Sequence, residues 1–301
     1  MSKRISDATI RRVLDTAEQM HYSPNELARG LRTGITKTIG VIVADISNQF
    51  FGELIYHIQQ RALDLDYSVV VTNSNEDPEE LLKDINLLVK RQVDGIIMVP
   101  TNNSRIIIDR IMALSIPFVQ VDRFLEGVDA SYVIMNNFKA SSALTERLIE
   151  EGNRRIAIFT HKGSALNGRL EGYLDTMKRR GLYDCTLVKE IDYYHETSEV
   201  ERSVRELCDA SGKVDAFIFN SHKLFLQGIR YLREAGTDLK DKLRIASFDK
   251  VDAFGLVDFP MVYVEQPISA MGHGAVDILI RHINGSSVRE ELVLDGTINE
   301  L

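Results

Sequence analysis

The amino-acid sequence predicts an α/β protein made of two doubly wound parallel-sheet lobes, and three observations carry that prediction. From Thr38 onward, strand-like and helix-like stretches alternate at about thirty residues per unit, the rhythm of a parallel sheet with helices on both faces. The strand-like runs are nearly continuous Val and Ile, as expected of strands buried on both faces. The alternation also occurs twice within 301 residues, which implies two sheets, with ligands expected at the carboxyl ends of strands facing the gap. The alternative is one continuous sheet of about nine parallel strands, a less usual size.

In chain order, Ser6 can cap a first helix whose Ile10, Val13, Leu14, Ala17 and Met20 keep helical spacing to about His21. Such a helix cannot bury its stripe alone. Next, Ser23 and Pro24 suit the start of a short helix and Gly34 the residue just past its end. A helix of that length is marginal in isolation and must borrow its stability. Its Leu27 and Leu31 lie one turn apart, with Arg29 and Arg32 beside them. A packed linker would account for two such leucines. An apolar wedge flanked by arginines is also how proteins open a DNA minor groove.

The first strand series is Thr38 to Ala44, Ser68 to Thr72, Gly95 to Val99, Phe118 to Val121 and Tyr132 to Met135. Between its members lie amphipathic helices, one presenting Phe51, Leu54, Ile55, Ile58 and Ala62, the next Leu81, Leu82, Ile85, Leu88 and Val89. The second series is Arg155 to Phe159, Leu187 to Ile191, Ala216 to Phe219 and Arg244 to Phe248.

Composition narrows the function. No run of about 18 apolar residues exists to span a membrane, and the first residues lack a signal-peptide core, so a cytoplasmic protein is expected. Cys185 and Cys208 lack metal-ligand or redox spacing and read as buried small hydrophobes. The net charge of −8 is uneven: up to Lys37 the basic residues exceed the acidic by three, leaving −11 for the rest. A small basic arm on an acidic body fits a protein that meets DNA by one end only. No nucleotide-binding glycine loop, metal triad or nucleophile elbow occurs, so neither an enzyme nor a cofactor is expected.

Tyr22-Ser23-Pro24-Asn25, followed by Ala28-Arg29-x-Leu31-Arg32-Thr33-Gly34-x-Thr36-Lys37-Thr38-Ile39-Gly40-Val41, resembles the hinge and first core strand of the LacI/GalR family of bacterial transcription regulators. The resemblance implies a periplasmic-binding-protein-like core with two lobes joined by three crossovers. These are placed near Asn136 and Asn137, near Gln266 and Pro267, and near Ser287. The domains implied are a remnant of a helix-turn-helix domain (1–22), a hinge helix and linker (23–37), an N-terminal lobe (38–136 plus 267–287) and a C-terminal lobe (137–266 plus 288–301). The helix from about Ile268 to Ile283 then returns to the first lobe, and Glu291 to Ile298 to the second. On this resemblance the chain is expected to begin after the first two helices of the DNA-reading domain, so residues 1–22 are expected to pack poorly. Leu27, Ala28, Arg29, Leu31 and Arg32 are the implied DNA contacts, with Leu31 at the position of the inserting leucine.

The resemblance also implies effector contacts. In Asp45-Ile46-Ser47-Asn48-Gln49-Phe50-Phe51, either Phe50 or Phe51 could stack on a sugar ring, and Phe50 is favoured. Asp122 of Val121-Asp122-Arg123 can accept from sugar hydroxyls or pair with Arg123. In Asn167-Gly168-Arg169-x-x-Gly172-Tyr173, Arg169 matches the family's ligand-gripping arginine; Asp249 and Gln266 match a strand-end aspartate and a crossover glutamine. Two departures stand out: Ser221-His222-Lys223 where an acidic or amide pair is common, and Asn136-Asn137 where Asp-Asn is usual. His222 and Lys223 with Arg169 would suit an anionic effector, unless Lys223 points outward.

The function implied is a ligand-responsive, DNA-binding transcriptional regulator, usually a repressor. Its partners would be operator DNA, a sugar or sugar derivative, and a second copy of the chain, paired along the helices from about Phe50 and Asp77. The alternative is a periplasmic-type sugar-binding protein of a transport system, which would need export but no basic arm.

Overall fold

A computed structural model describes residues 6–20, 34–101, 104–114, 116–163, 168–192, 195–209, 214–239, 243–250 and 257–301. The hinge segment with Leu27, Ala28, Arg29, Leu31 and Arg32 lies outside the described residues. The first half runs α1 (Asp7–Gln19), β1 (Thr38–Val43), α2 (Gln49–Asp64), β2 (Ser68–Asn73), α3 (Pro78–Lys90), β3 (Gly95–Met98), α4 (Arg105–Ala113), β4 (Phe118–Val121) and β5 (Ser131–Met135). The second runs α5 (Asn137–Glu150), β6 (Ile156–His161), α6 (Arg169–Arg179), β7 (Val188–Ile191), α7 (Glu196–Asp209), β8 (Ala216–Phe219), α8 (His222–Glu234), β9 (Arg244–Phe248) and β10 (Met261–Glu265). The chain closes with α9 (Ile268–Ile283), β11 (Glu291–Leu294) and β12 (Thr297–Glu300).

Two six-stranded sheets result, ordered β2-β1-β3-β4-β5-β11 and β7-β6-β8-β9-β10-β12. All pairings are parallel except that of β12 with β10. Helices cover both faces of each sheet, so alternate residues of one strand serve different cores. In β1, Ile39, Val41 and Val43 join Leu54 of α2 and Met271 of α9, whereas Ile42 joins Leu81 and Ile85 of α3. The continuous apolar run at Thr38 to Val43 is the sequence form of that two-sided burial.

The chain passes from the first sheet to the second between Met135 and Asn137, and returns through Gln266 and Pro267 into α9 on the first. The third passage corrects the sequence reading. Glu291–Leu294 is not in the second sheet: it pairs in parallel with β5, from Glu291 opposite Tyr132 to Leu294 opposite Met135. The passage therefore falls between Leu294 and Thr297 rather than near Ser287, and only β12 joins the second sheet. One apparent strand is two short ones, each capping the open edge of a different sheet. β10 went unpredicted because the helix after it covers the other sheet, which breaks the alternation of strand and covering helix.

The cysteines are a second correction. Cys185 and Cys208 are exposed thiols. Along α7 the buried side is Val200, Val204 and Leu207, and Cys208 stands one residue, about 100° of helix, beyond it. In α1, Ser6 Oγ accepts from the Thr9 amide at 3.3 Å. Ile10, Val13 and Met20 are 45%, 62% and 73% exposed, which leaves the helix's apolar stripe in solvent among the described residues.

Candidate ligand site

Residues just past the carboxyl ends of the two sheets meet across the lobes, as Lys223 Nζ does with Asp45 Oδ2, and the polar residues there form the candidate site. Arg169 anchors it. Gly168, at φ +70°, turns the chain into α6, and Arg169 is that helix's first residue. Its guanidinium is almost wholly buried: Nε donates to Asn137 Oδ1 at 2.8 Å, and Nη1 donates to the Asn220 carbonyl at 2.6 Å. The group lies 4.3 Å from the centre of the Phe248 ring, with Nη2 3.9 Å from Asp249 Oδ1. Asn137 is the first residue of α5, so Arg169 ties two helix starts and a strand end together.

That geometry depends on close packing between α5 and α6. A side chain at Gly172 would put Cβ 2.4 Å from the Phe138 carbonyl oxygen and 3.0 Å from Ser141 Cβ. The hydroxyls of Ser141 and Ser142 donate to the Arg169 and Gly172 carbonyls, at 2.6 and 3.2 Å. The Arg-x-x-Gly spacing thus has a packing reason: one turn after the arginine, only hydrogen fits.

The two lobes repeat a single device at their fourth strands. Asp122 follows β4 at φ +70° and its amide donates to the Val133 carbonyl at 3.0 Å. Asp249 follows β9 at φ +69° and its amide donates to the Val264 carbonyl, also at 3.0 Å. A left-handed backbone is uncommon for Asp, and here it aims two carboxylates from opposite lobes into one space. Burial pushes the Asp122 carboxyl above the usual carboxylate range; Arg123 and Arg169 oppose that shift, while Asp249 and Glu76 add to it. Gln266 Nε2 donates to Asp249 Oδ1.

Several buried polar atoms at these strand ends lack a partner among the described residues. They are Asn220 Oδ1 and Nδ2, His222 Nδ1 and Gln266 Oε1. Buried polar groups are normally satisfied, and although other unpartnered atoms occur elsewhere, on Asp84, Arg155 and Gln227 for example, these four stand where a hydrogen-bonding ligand at the strand ends would meet them.

His222 opens α8 and is buried. Burial holds its imidazole below the ordinary value, helped by the charge of Lys223, with Asp249, Asp45 and Glu196 pulling the other way. The unfolded chain therefore takes up this proton first as pH falls. Stability that His222 contributes is present above the ordinary value of 6.5 and lost below it, as pH falls through the folded value. Between neutral pH and about pH 5.5 the melting temperature of the wild type is expected to fall more steeply than that of His222→Gln, in scanning fluorimetry across that range.

The structure divides the three groups that the sequence offered to an anion. Arg169 has the contacts given above, and His222 is held towards its neutral form. Lys223 does not point outward: its Nζ donates to Asp45 Oδ2 in the opposite lobe at 2.9 Å. Phe50, expected to stack on a ligand, is 6% exposed and meets Phe51, itself 5% exposed, edge-on with centroids 5.0 Å apart. Both rings belong to the first-lobe core, so exposure does not favour Phe50 over Phe51.

Sequence reasoning passed over Asn137, Asn220 and Asp45 as site residues. Asp45 and Asn220 stand within two residues past the ends of β1 and β8, where parallel sheets place ligand contacts, and that position was the available signal. Among the described residues, no group of three His, Cys, Asp or Glu could hold a metal ion, and no helix is long and apolar enough to cross a membrane.

Residues 36–293 match the family described as periplasmic binding proteins and sugar binding domain of LacI family. The chain is 25% identical over 300 residues to the ribose operon repressor of Haemophilus influenzae, covering 98% of this chain and 90% of that protein. It is 27% identical over 286 residues to the sucrose operon repressor of Pediococcus pentosaceus, covering 94% and 86%. Among solved structures, the transcriptional regulator CelR in complex with cellobiose superposes with a TM-score of 0.78 at 25% identity, covering 99% of this chain and 91% of that one.

Proposed function

We propose a function from one premise: this chain belongs to the LacI family, and its residues 36–293 form the family's sugar-binding domain. It is a ligand-responsive transcription regulator and not an enzyme. Our reading is that a sugar or sugar derivative binds between the lobes, with Arg169, Asp122, Asp249, His222 and Gln266 around it and Phe50 or Phe51 against its apolar face. The observation that carries this is the set of buried, unpartnered polar atoms on Asn220, His222 and Gln266 at the strand ends. A sugar presents hydroxyls that both donate and accept, which suits an amide and an imidazole.

In the same reading, two copies pair along α2 and α3, where Tyr56, Leu63 and Leu87 are exposed apolar residues, and act on operator DNA in the cytoplasm. Ligand-driven movement of one lobe on the other changes the separation of the two hinges. Ordered as a pair, the hinges present Leu27, Ala28, Arg29, Leu31 and Arg32 to the minor groove.

Scanning fluorimetry against a panel of neutral, acidic and phosphorylated sugars tests the ligand reading. A ligand at one hundred times its Kd stabilises by about 2.7 kcal/mol, a plain shift in melting temperature. No shift with any sugar would overturn the reading. For the hinge, Leu31→Ala in a full-length protein carrying the complete helix-turn-helix is expected to weaken binding to DNA from upstream of the gene about tenfold, by fluorescence anisotropy, and to leave effector affinity unchanged. Unchanged DNA affinity would remove Leu31 from the DNA contact.

A further inference from the structure

The cations at the facing edges of the two sheets are matched by carboxylates. Lys223 Nζ donates to Asp45 Oδ2 at 2.9 Å across the gap. Arg123 pairs with Glu76 and has Nε 3.7 Å from Asp122 Oδ2, and Arg169 faces Asp249 at 3.9 Å. Farther out, Lys162 lies 3.6 Å from Glu199 and Lys250 3.4 Å from Glu265. Among the described residues in these pairs, four carboxylates, Asp45, Glu76, Asp122 and Asp249, stand against three cations, Arg123, Arg169 and Lys223. A ligand bringing a further negative charge would enter an edge with no positive surplus, and desolvating it there is costly.

Asp45 is held in place as an acceptor. It lies at the carboxyl end of β1, its side chain is 14% exposed, and its Oδ1 accepts from the Ser47 amide at 3.0 Å and the Ser47 hydroxyl at 2.5 Å. Those two bonds leave Oδ2 turned to Lys223. The pair is partly screened from water, where attraction between opposite charges exceeds that of a surface pair.

We propose that Asp45 sets the charge selectivity of the cleft: by engaging Lys223 it withholds that ammonium from the ligand and reserves the site for uncharged polyols. Removing its charge turns the site toward phosphorylated or acidic sugars. The inference rests on the reading of the cleft as a sugar site.

Titration calorimetry on the full chain tests it, with D-ribose, D-glucose, sucrose and cellobiose as neutral probes. Ribose 5-phosphate, glucose 6-phosphate and gluconate are the anionic probes. The wild type is expected to bind a neutral probe and no anionic one. Asp45→Asn keeps the side-chain shape and is expected to gain about tenfold or more in affinity for an anionic probe, the size of one hydrogen bond to a charged group. Adding Lys223→Met to that variant is expected to abolish the gain. If Asp45→Asn does not melt cooperatively, Asp45→Ser makes the same measurement. Binding of an anionic probe to the wild type as tightly as a neutral one overturns the proposal and leaves the sugar reading standing. So does an Asp45→Asn protein that still takes only neutral probes. Failure of every probe on the wild type overturns both.

Discussion

Arg169→Ala is expected to cost about 3–5 kcal/mol of stability and to abolish effector binding, the result of removing one member of a buried, charge-containing network. The guanidinium holds Asn137 Oδ1 at 2.8 Å and the Asn220 carbonyl at 2.6 Å, so its loss strands two buried acceptors and leaves the Asp249 carboxylate without its nearest opposite charge in the second lobe. Arg169→Lys separates charge from shape. A lysine keeps the positive charge but carries one nitrogen in place of the guanidinium's fork, so it cannot reproduce both hydrogen bonds together with the contact over Phe248. It is expected to cost about 1–3 kcal/mol, the penalty of one buried acceptor left unsatisfied, with effector affinity lowered about a hundredfold. Chemical denaturation and calorimetry read the two effects independently. Wild-type stability and affinity in Arg169→Lys would show that charge alone is what the site needs.

Gly172→Ala is expected to rank next. The added methyl would sit 2.4 Å from the Phe138 carbonyl oxygen and 3.0 Å from the Ser142 amide nitrogen, and backbone atoms cannot swing aside as a side-chain end can. Relief requires α6 to move away from α5, an overpacking cost of about 1–3 kcal/mol. The same movement carries Arg169, one turn earlier on α6, away from Asn137 at the start of α5. Stability and effector affinity should therefore fall together, in denaturation and in calorimetry. The contrasting substitution is Gly52→Ala in the interior of α2, where an added methyl meets nothing within 4 Å. That change should stabilise by about 0.5–1 kcal/mol, the helix preference of alanine over glycine. Equal effects at Gly172 and Gly52 would refute the close-packing argument.

Much of this architecture could be read from the order of residue types. Strands buried on both faces must be apolar at every position, so runs such as Thr38 to Val43 and Ala216 to Phe219 announced themselves, and their repetition announced two sheets. Caps and stripes were equally local: Ser6, the buried Leu54, Ile58 and Ala62 of α2, and the buried Leu81, Ile85 and Leu88 of α3 all follow helical spacing. Arg169, Asp122, Asp249 and Gln266 were named from the family resemblance; for Asp122 and Asp249, which follow strands the pattern also showed, the rule placing ligand contacts past the carboxyl ends of parallel strands gives the same residues.

Pairing between distant segments was not legible. Nothing in Glu291–Leu294 states that its neighbour is β5 rather than β10, since either edge offers the same row of unpaired amides and carbonyls. Lys223 read as a cation for a ligand because its partner, Asp45, is 178 residues away, and folding alone brings them to 2.9 Å. Exposure of Cys208 followed from helix phase, and the shared burial of Phe50 and Phe51 from packing at the start of α2. Local physics, in spacing, capping and two-sided apolarity, is written along the chain and yields the elements and the two-lobed class. Which edge a strand joins and which charge answers which are set by long-range closure, and there the folded molecule had the decision.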